Sequence, residues 1–149
     1  MQNNEHRDSM LRLIERTSLP YLGTLSEGGE PRIKVVSQNQ REGMTLFRFV
    51  TLTHRQRTQD ILRDGRACLY FADNEKFETL RLDGIATITR DAALRRAMWN
   101  DGLAGFFKQG VDDPEFSIIE FRATGGNFYK FPLIKDFVLE GEDVVWKES

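Results

Sequence analysis

From Phe77 to Arg90 the chain alternates almost without a break. Leu80, Leu82, Gly84, Ala86 and Ile88 fall on one side, with Thr79, Arg81, Asp83, Ile85, Thr87 and Thr89 on the other. A period of two held over that length commits the segment to a long strand with one face in a core. Such a strand cannot stand alone, because its edges need partners. Candidate partners are Tyr21–Ser26, Arg32–Gln38, Met44–Val50, Ala67–Ala72, Glu115–Ala123 and Asn127–Phe131, all rich in apolar, β-branched or aromatic residues, with a hairpin around Glu140 to Asp143 closing the tail. Turn signals separate them: Gly28-Gly29 for a two-residue hairpin, Arg41-Glu42-Gly43, and Thr124-Gly125-Gly126 joining two strands. Six or seven short strands with few helices imply a mainly antiparallel sheet that must curl to hide its edges, a small barrel with flanking helices.

Three short helices are expected. Asp8 to Arg16 sets Met10, Leu11, Leu13 and Ile14 at helical spacing, and Asp91 caps a helix carrying Leu94, Ala97 and Met98 before Asn100-Asp101-Gly102 interrupts it. The third starts where the strand ending Phe49-Val50-Thr51 gives way to Thr53-His54-Arg55-Gln56-Arg57 and runs to Leu62, with Gly65 as a left-handed stop. Thr53 and Gln56 have capping-box spacing. Acidic side chains normally favour a first turn, yet this one carries Arg55 and Arg57. Two cations at the positive end of a helix cost a few tenths of a kcal/mol each unless an anion gathers them. Thr51 to Arg57 is therefore a candidate phosphate cradle.

A chain of 149 residues is the size of one domain, and no repeat or linker divides it. The net charge of −2 argues against a general nucleic-acid binder, which leaves a basic footprint. Met1 to Asp8 lacks the apolar core of a signal peptide and no apolar run is long enough for a membrane span, so a cytoplasmic protein is expected. The lone Cys68, in an apolar strand, reads as a small hydrophobe rather than a catalytic thiolate. Neither His6 nor His54 has a metal-ligand neighbour, and no nucleophile elbow or nucleotide-binding glycine loop occurs, so no metal and no catalytic side chain is assigned. Trp99, Phe106, Phe107, Phe128 and Tyr129 suit core packing, a dimer partner or a flat ligand.

The order of these pieces carries further information. A Gly-Gly turn leads to Glu-Pro-Arg-Ile-Lys-Val-Val, then a strand ending Phe-Val-Thr, a basic helix start, Arg-Ala-Cys-Leu-Tyr-Phe, Leu-Asp-Gly-Ile-Ala, Met-Trp-Asn and Asp-Asp-Pro. From about Leu11 to Tyr129 this resembles the pyridoxamine 5'-phosphate oxidase-like family, and within it the general stress protein 26 branch. The resemblance implies a Greek-key split β-barrel over residues 1–149, with 136–149 as a terminal hairpin or tail. It also implies a homodimer holding FMN between its subunits. Carried onto this chain, it implies that Lys34 lies where the family has a flavin-contacting Arg, that Val35 and Val36 offer backbone contacts to the ring edge, and that Val50 and Thr51 sit beside phosphate and ring. Arg55, Gln56 and Arg57 fall on the phosphate triplet, and Thr79 on a polar contact from the partner subunit.

The match is not uniform. Lys34 replaces Arg, Arg55 a small hydroxyl residue and Gln56 a cation, while Asn39 stands about where the vitamin-making oxidases have Lys. The Arg- and Trp-bearing C-terminal segment that holds pyridoxal phosphate in those oxidases has no counterpart, so pyridoxamine oxidation is not expected. The resemblance implies an FMN-dependent oxidoreductase acting on a small molecule or flavin and linked to stress. The alternatives are a non-enzymatic flavin carrier or sensor, and a split-barrel dimer binding haem, a deazaflavin or no cofactor.

Overall fold

The computed structural model describes residues 2–148. Along the chain run α1 (Gln2–Arg16), β1 (Tyr21–Leu25), β2 (Pro31–Val35), β3 (Gln40–Glu42), β4 (Leu46–Leu52), α2 (Gln56–Arg63), β5 (Arg66–Asp73), β6 (Glu78–Thr89), α3 (Ala92–Met98), β7 (Phe116–Lys130), β8 (Leu133–Glu140) and β9 (Asp143–Trp146), with two 3₁₀ turns, Asp101–Leu103 and Gly110–Asp112, between α3 and β7. The nine strands form one antiparallel sheet in the order β2-β1-β5-β6-β7-β4-β3, with β8 paired to β7 and β9 to β8. The count is nine because Gln40–Glu42 is a short strand on β4 rather than a turn and the tail hairpin adds β8 and β9, while the expected strands Glu115–Ala123 and Asn127–Phe131 are one.

β7 decides the architecture. It lies along β6 from Ile118 to Lys130, while its other edge serves two neighbours: Phe116–Arg122 pairs with β4 and Gly125–Lys130 with β8. The sheet forks there, which is the split of a split barrel, and it is not closed by hydrogen bonds. Thr124-Gly125-Gly126, expected as a loop, is the middle of this single strand. Those glycines act through close approach: a Cβ on Gly125 would stand 2.5 Å from the Phe137 carbonyl oxygen, and one on Gly126 would run into the Arg81 carbonyl. Gly65 is also not the left-handed stop expected of it. Asp64 ends α2 in an extended conformation, and Gly65 lets the chain press against Ala86, whose amide donates to the Gly65 carbonyl at 2.7 Å.

The alternation of β6 is realised, with Leu80, Leu82 and Ala86 buried. They join Phe47, Phe49, Leu69, Phe71, Ile119, Phe121 and Phe128 in the barrel core, capped at one end by Met10, Leu13 and Ile14 of α1. That helix begins six residues before Asp8, and the ring of His6 within it meets Trp146 edge-on at 5.7 Å. A second, smaller core of Met98, Phe107, Phe116 and Ile118 lies beneath the segment after α3.

Candidate functional site

β4 carries Thr51 to the barrel rim, where its hydroxyl is buried and shares a 3.1 Å hydrogen bond with the Thr58 hydroxyl of α2. The next turn departs from the capping-box expectation. Thr53 bonds the Pro114 carbonyl at 3.0 Å and the Ser117 hydroxyl at 2.6 Å, because the loop before β7 lies against it. Gln56 reaches forward to Asp60 at 3.1 Å instead of back to Thr53. The helix consequently starts at Gln56 with Arg55 as N-cap, no side-chain cap and no acid in its first turn. Its leading amides and the positive end of its dipole are left for something else to satisfy.

Arg57 ties the rim together. Its Nε donates to the Thr51 hydroxyl at 3.1 Å and its Nη1 to the Val35 carbonyl at 3.2 Å, so one guanidinium links the ends of β2, β4 and α2. Burial, reinforced by the charge of Arg55, pushes its pKa down from the ordinary arginine value. Among the described residues, neither Arg55 nor Arg57 has a carboxylate within ion-pair distance. A half-buried cation beside a second cation, with no internal counter-charge, is the arrangement that an external anion stabilises.

The two arginines open on a cleft of about 240 Å³. Val35, Val36, Ser37 and Asn39 form one wall, Val50, Thr51 and Leu52 the floor, and Leu103, Phe106 and Phe107 the far side. Asn39 fixes the first wall by accepting the Val50 amide at 2.8 Å. Phe107 anchors the far side from the second core, 4.9 Å from Phe116 between ring centres, while Phe106 stands largely exposed at the rim. Of the residues singled out by sequence, Val35, Val36, Val50, Thr51, Arg55 and Arg57 meet here. Lys34 and Gln56 line an adjoining cleft on the other side of Arg57. Thr79 lies on β6 between Ala72 and Tyr129, outside both clefts.

Sequence reasoning did not place Ser37 or Leu103 at the site, and it left Phe106 and Phe107 unassigned; their only signal was an aromatic pair in a loop. Cys68 is half-buried rather than a core residue, with its thiol pKa pushed up by burial and by Asp83. His54 is held by Glu115 and does not line the cleft. No group of three His, Cys, Asp or Glu residues able to hold a metal occurs among the described residues, and no described helix is long and apolar enough to cross a membrane.

Comparison with known proteins bears on the fold and the family. Among solved structures, a Clostridium acetobutylicum protein related to general stress protein 26 of Bacillus subtilis, of the pyridoxinephosphate oxidase family, superposes with a TM-score of 0.81 at 29% identity, over 91% of this chain and 95% of that one. General stress protein 26 of Bacillus anthracis gives 0.74 at 15% identity, over 91% and 99%. A heme binding protein of Mycobacterium smegmatis gives 0.71 at 17%, over 89% and 57%. The fold is thus shared by stress proteins and by proteins that bind heme. No curated protein sequence matches the chain. The model of the family described as pyridoxamine 5'-phosphate oxidase like matches residues 5–135, and the chain belongs to that family.

Proposed function

We propose that this protein is a cytoplasmic, homodimeric flavoprotein that binds FMN in the cleft at Arg57 and serves a small-molecule or flavin oxidoreduction. The observation that carries the reading is the uncompensated pair Arg55 and Arg57 at an uncapped helix start. A phosphate dianion there accepts from both guanidinium groups and from the first-turn amides of α2, while the buried Thr51 hydroxyl, accepting from Arg57, holds that guanidinium in place. Val35, Val36 and Val50 offer a flat apolar and backbone surface for the ring system. Lys34 and Gln56 act across Arg57, Lys34 adding positive charge near the ring edge.

A second protomer completes the site in this reading. A cleft of about 240 Å³ is below the roughly 300–1,000 Å³ of complete ligand sites. The outward face of β1 and β2 leaves Tyr21, Ile33 and Val35 exposed, an apolar strip suited to a partner that would bring its Thr79 to the flavin. Bound flavin supplies the hydride chemistry, and the protein supplies placement and electrostatics. A haem finds less support, because the described residues lining the cleft include no His, Cys, Met or Tyr to ligate its iron.

The test is a titration of the purified protein with FMN, followed by flavin absorbance and fluorescence, with the oligomeric state measured in parallel. Saturable binding to a dimer supports the reading. A monomer indifferent to FMN overturns it.

A further inference from the structure

On the other side of Arg57, between the β1–β2 hairpin and α2, lies a second cleft of about 300 Å³. Its distinctive element is Asp60, whose side chain is fully buried. One carboxylate oxygen is well served, by Gln56 at 3.1 Å and Arg63 at 2.8 Å. The other has only distant company, the Thr24 hydroxyl at 3.5 Å and the Arg32 guanidinium at 3.8 Å. A buried carboxylate oxygen with such weak partners retains most of its capacity to accept a hydrogen bond. Arg32, Lys34 and Arg57 line the same cleft, three cations against one carboxylate in a chain of net charge −2. The local field attracts anions although the molecule as a whole does not.

We propose that this cleft is a binding subsite for a small carboxylate that bears a neighbouring hydrogen-bond donor, a 2-hydroxy or 2-amino acid. Arg32 and Lys34 hold the ligand carboxylate; as Arg32 turns from Asp60 to the ligand it uncovers the loosely held Asp60 oxygen, to which the hydroxyl or amino group donates. A simple carboxylate satisfies the cations but leaves Asp60 as it is. A neutral alcohol does the reverse. Because Arg57 borders both clefts, a molecule held here lies next to the proposed flavin site; its role as substrate rests on the flavin reading, while its binding does not.

The experiment records amide chemical shifts of the full chain, with and without FMN, during titration with L-lactate and with propionate, the same anion without the donor. Lactate should shift Thr24, Arg32 and Asp60 and bind at least about tenfold more tightly than propionate, the effect of one hydrogen bond to a charged acceptor. Arg32→Gln should weaken both ligands, and Asp60→Asn should bring the two affinities together. Should Asp60→Asn fail to fold, the wild-type lactate to propionate ratio together with Arg32→Gln decides. Equal affinities, absence of binding at millimolar concentration, or shifts confined to Val50 and Thr51 would overturn the proposal. Lactate binding in a protein that ignores FMN would uphold the subsite and remove the flavin reading instead.

Discussion

Replacing Arg57 by methionine separates what this residue does for the fold from what it does for a ligand. In the ligand-free protein the substitution removes two hydrogen bonds, to Thr51 and to the Val35 carbonyl, together worth roughly 1–3 kcal/mol. The loss is offset by release of a half-buried charge and of its repulsion with Arg55. The Thr51 hydroxyl keeps Thr58 as a partner, and methionine retains an apolar stem along the cleft wall. The free-state stability should therefore stay within about 1 kcal/mol of wild type. Binding behaves differently, because a charge-assisted bond to phosphate contributes about 1.5–3 kcal/mol, so FMN affinity should fall roughly 10- to 150-fold. Urea unfolding without ligand measures the first quantity and quenching of flavin fluorescence the second, with the wild-type affinity also falling as salt rises. If the variant binds FMN within threefold of wild type, or unfolds readily with affinity intact, Arg57 is a structural tie and the phosphate assignment fails.

Other consequences test the frame around the site. Glu142 clasps the C-terminal hairpin to the rest of the chain by accepting from the Arg7 guanidinium, the Met44 amide and the Thr45 hydroxyl. Burial pushes its pKa up, but these donors outweigh it and hold the carboxyl below its ordinary value of 4.5. The contribution of the clasp is then complete above that value and disappears as pH falls through the depressed folded-state pKa. Glu142→Gln should cost about 1 kcal/mol at pH 7 after solvent screening, and the difference from wild type should shrink in urea melts at acid pH. Gly126→Ala drives a Cβ into the Arg81 carbonyl and should lower stability by more than about 2 kcal/mol, visible as a large drop in the urea midpoint; a near-neutral result would mean that the β6–β7 pairing yields easily. Cys68, with its raised pKa and half-buried thiol, should react slowly with a disulfide reagent at pH 7 and quickly once unfolded. Fast labelling of the native protein would contradict that environment.

Much of the barrel could be read from local pattern. The alternation of β6, the turn at Glu140 to Asp143 and the apolar stripe of α1 are short-range consequences of side-chain periodicity, and each appears where that periodicity put it. The expectations that changed share one cause. Thr53 has the spacing of a cap, but the loop before β7 offers its hydroxyl better-placed partners. Gly125-Gly126 has the composition of a turn, yet two neighbouring strands pass so close that only glycine fits between them. In both places a distant segment competed with a local preference and won.

The candidate site divides in the same way. Arg55 and Arg57 beside a helix start were visible because charge against a dipole is a local conflict, detectable within a few residues of sequence. That Arg57 spans to Val35, that Phe106 and Phe107 line the same cleft as Val35, and that Lys34 and Asp60 both line a separate cleft depend on contacts between segments remote in the chain. Local sequence sets the elements and their charges, since backbone sterics and side-chain period act over a few residues. Only the fold brings β2, β4, α2 and the loop after α3 to one rim, because the forked pairing of β7 sets which strands lie side by side.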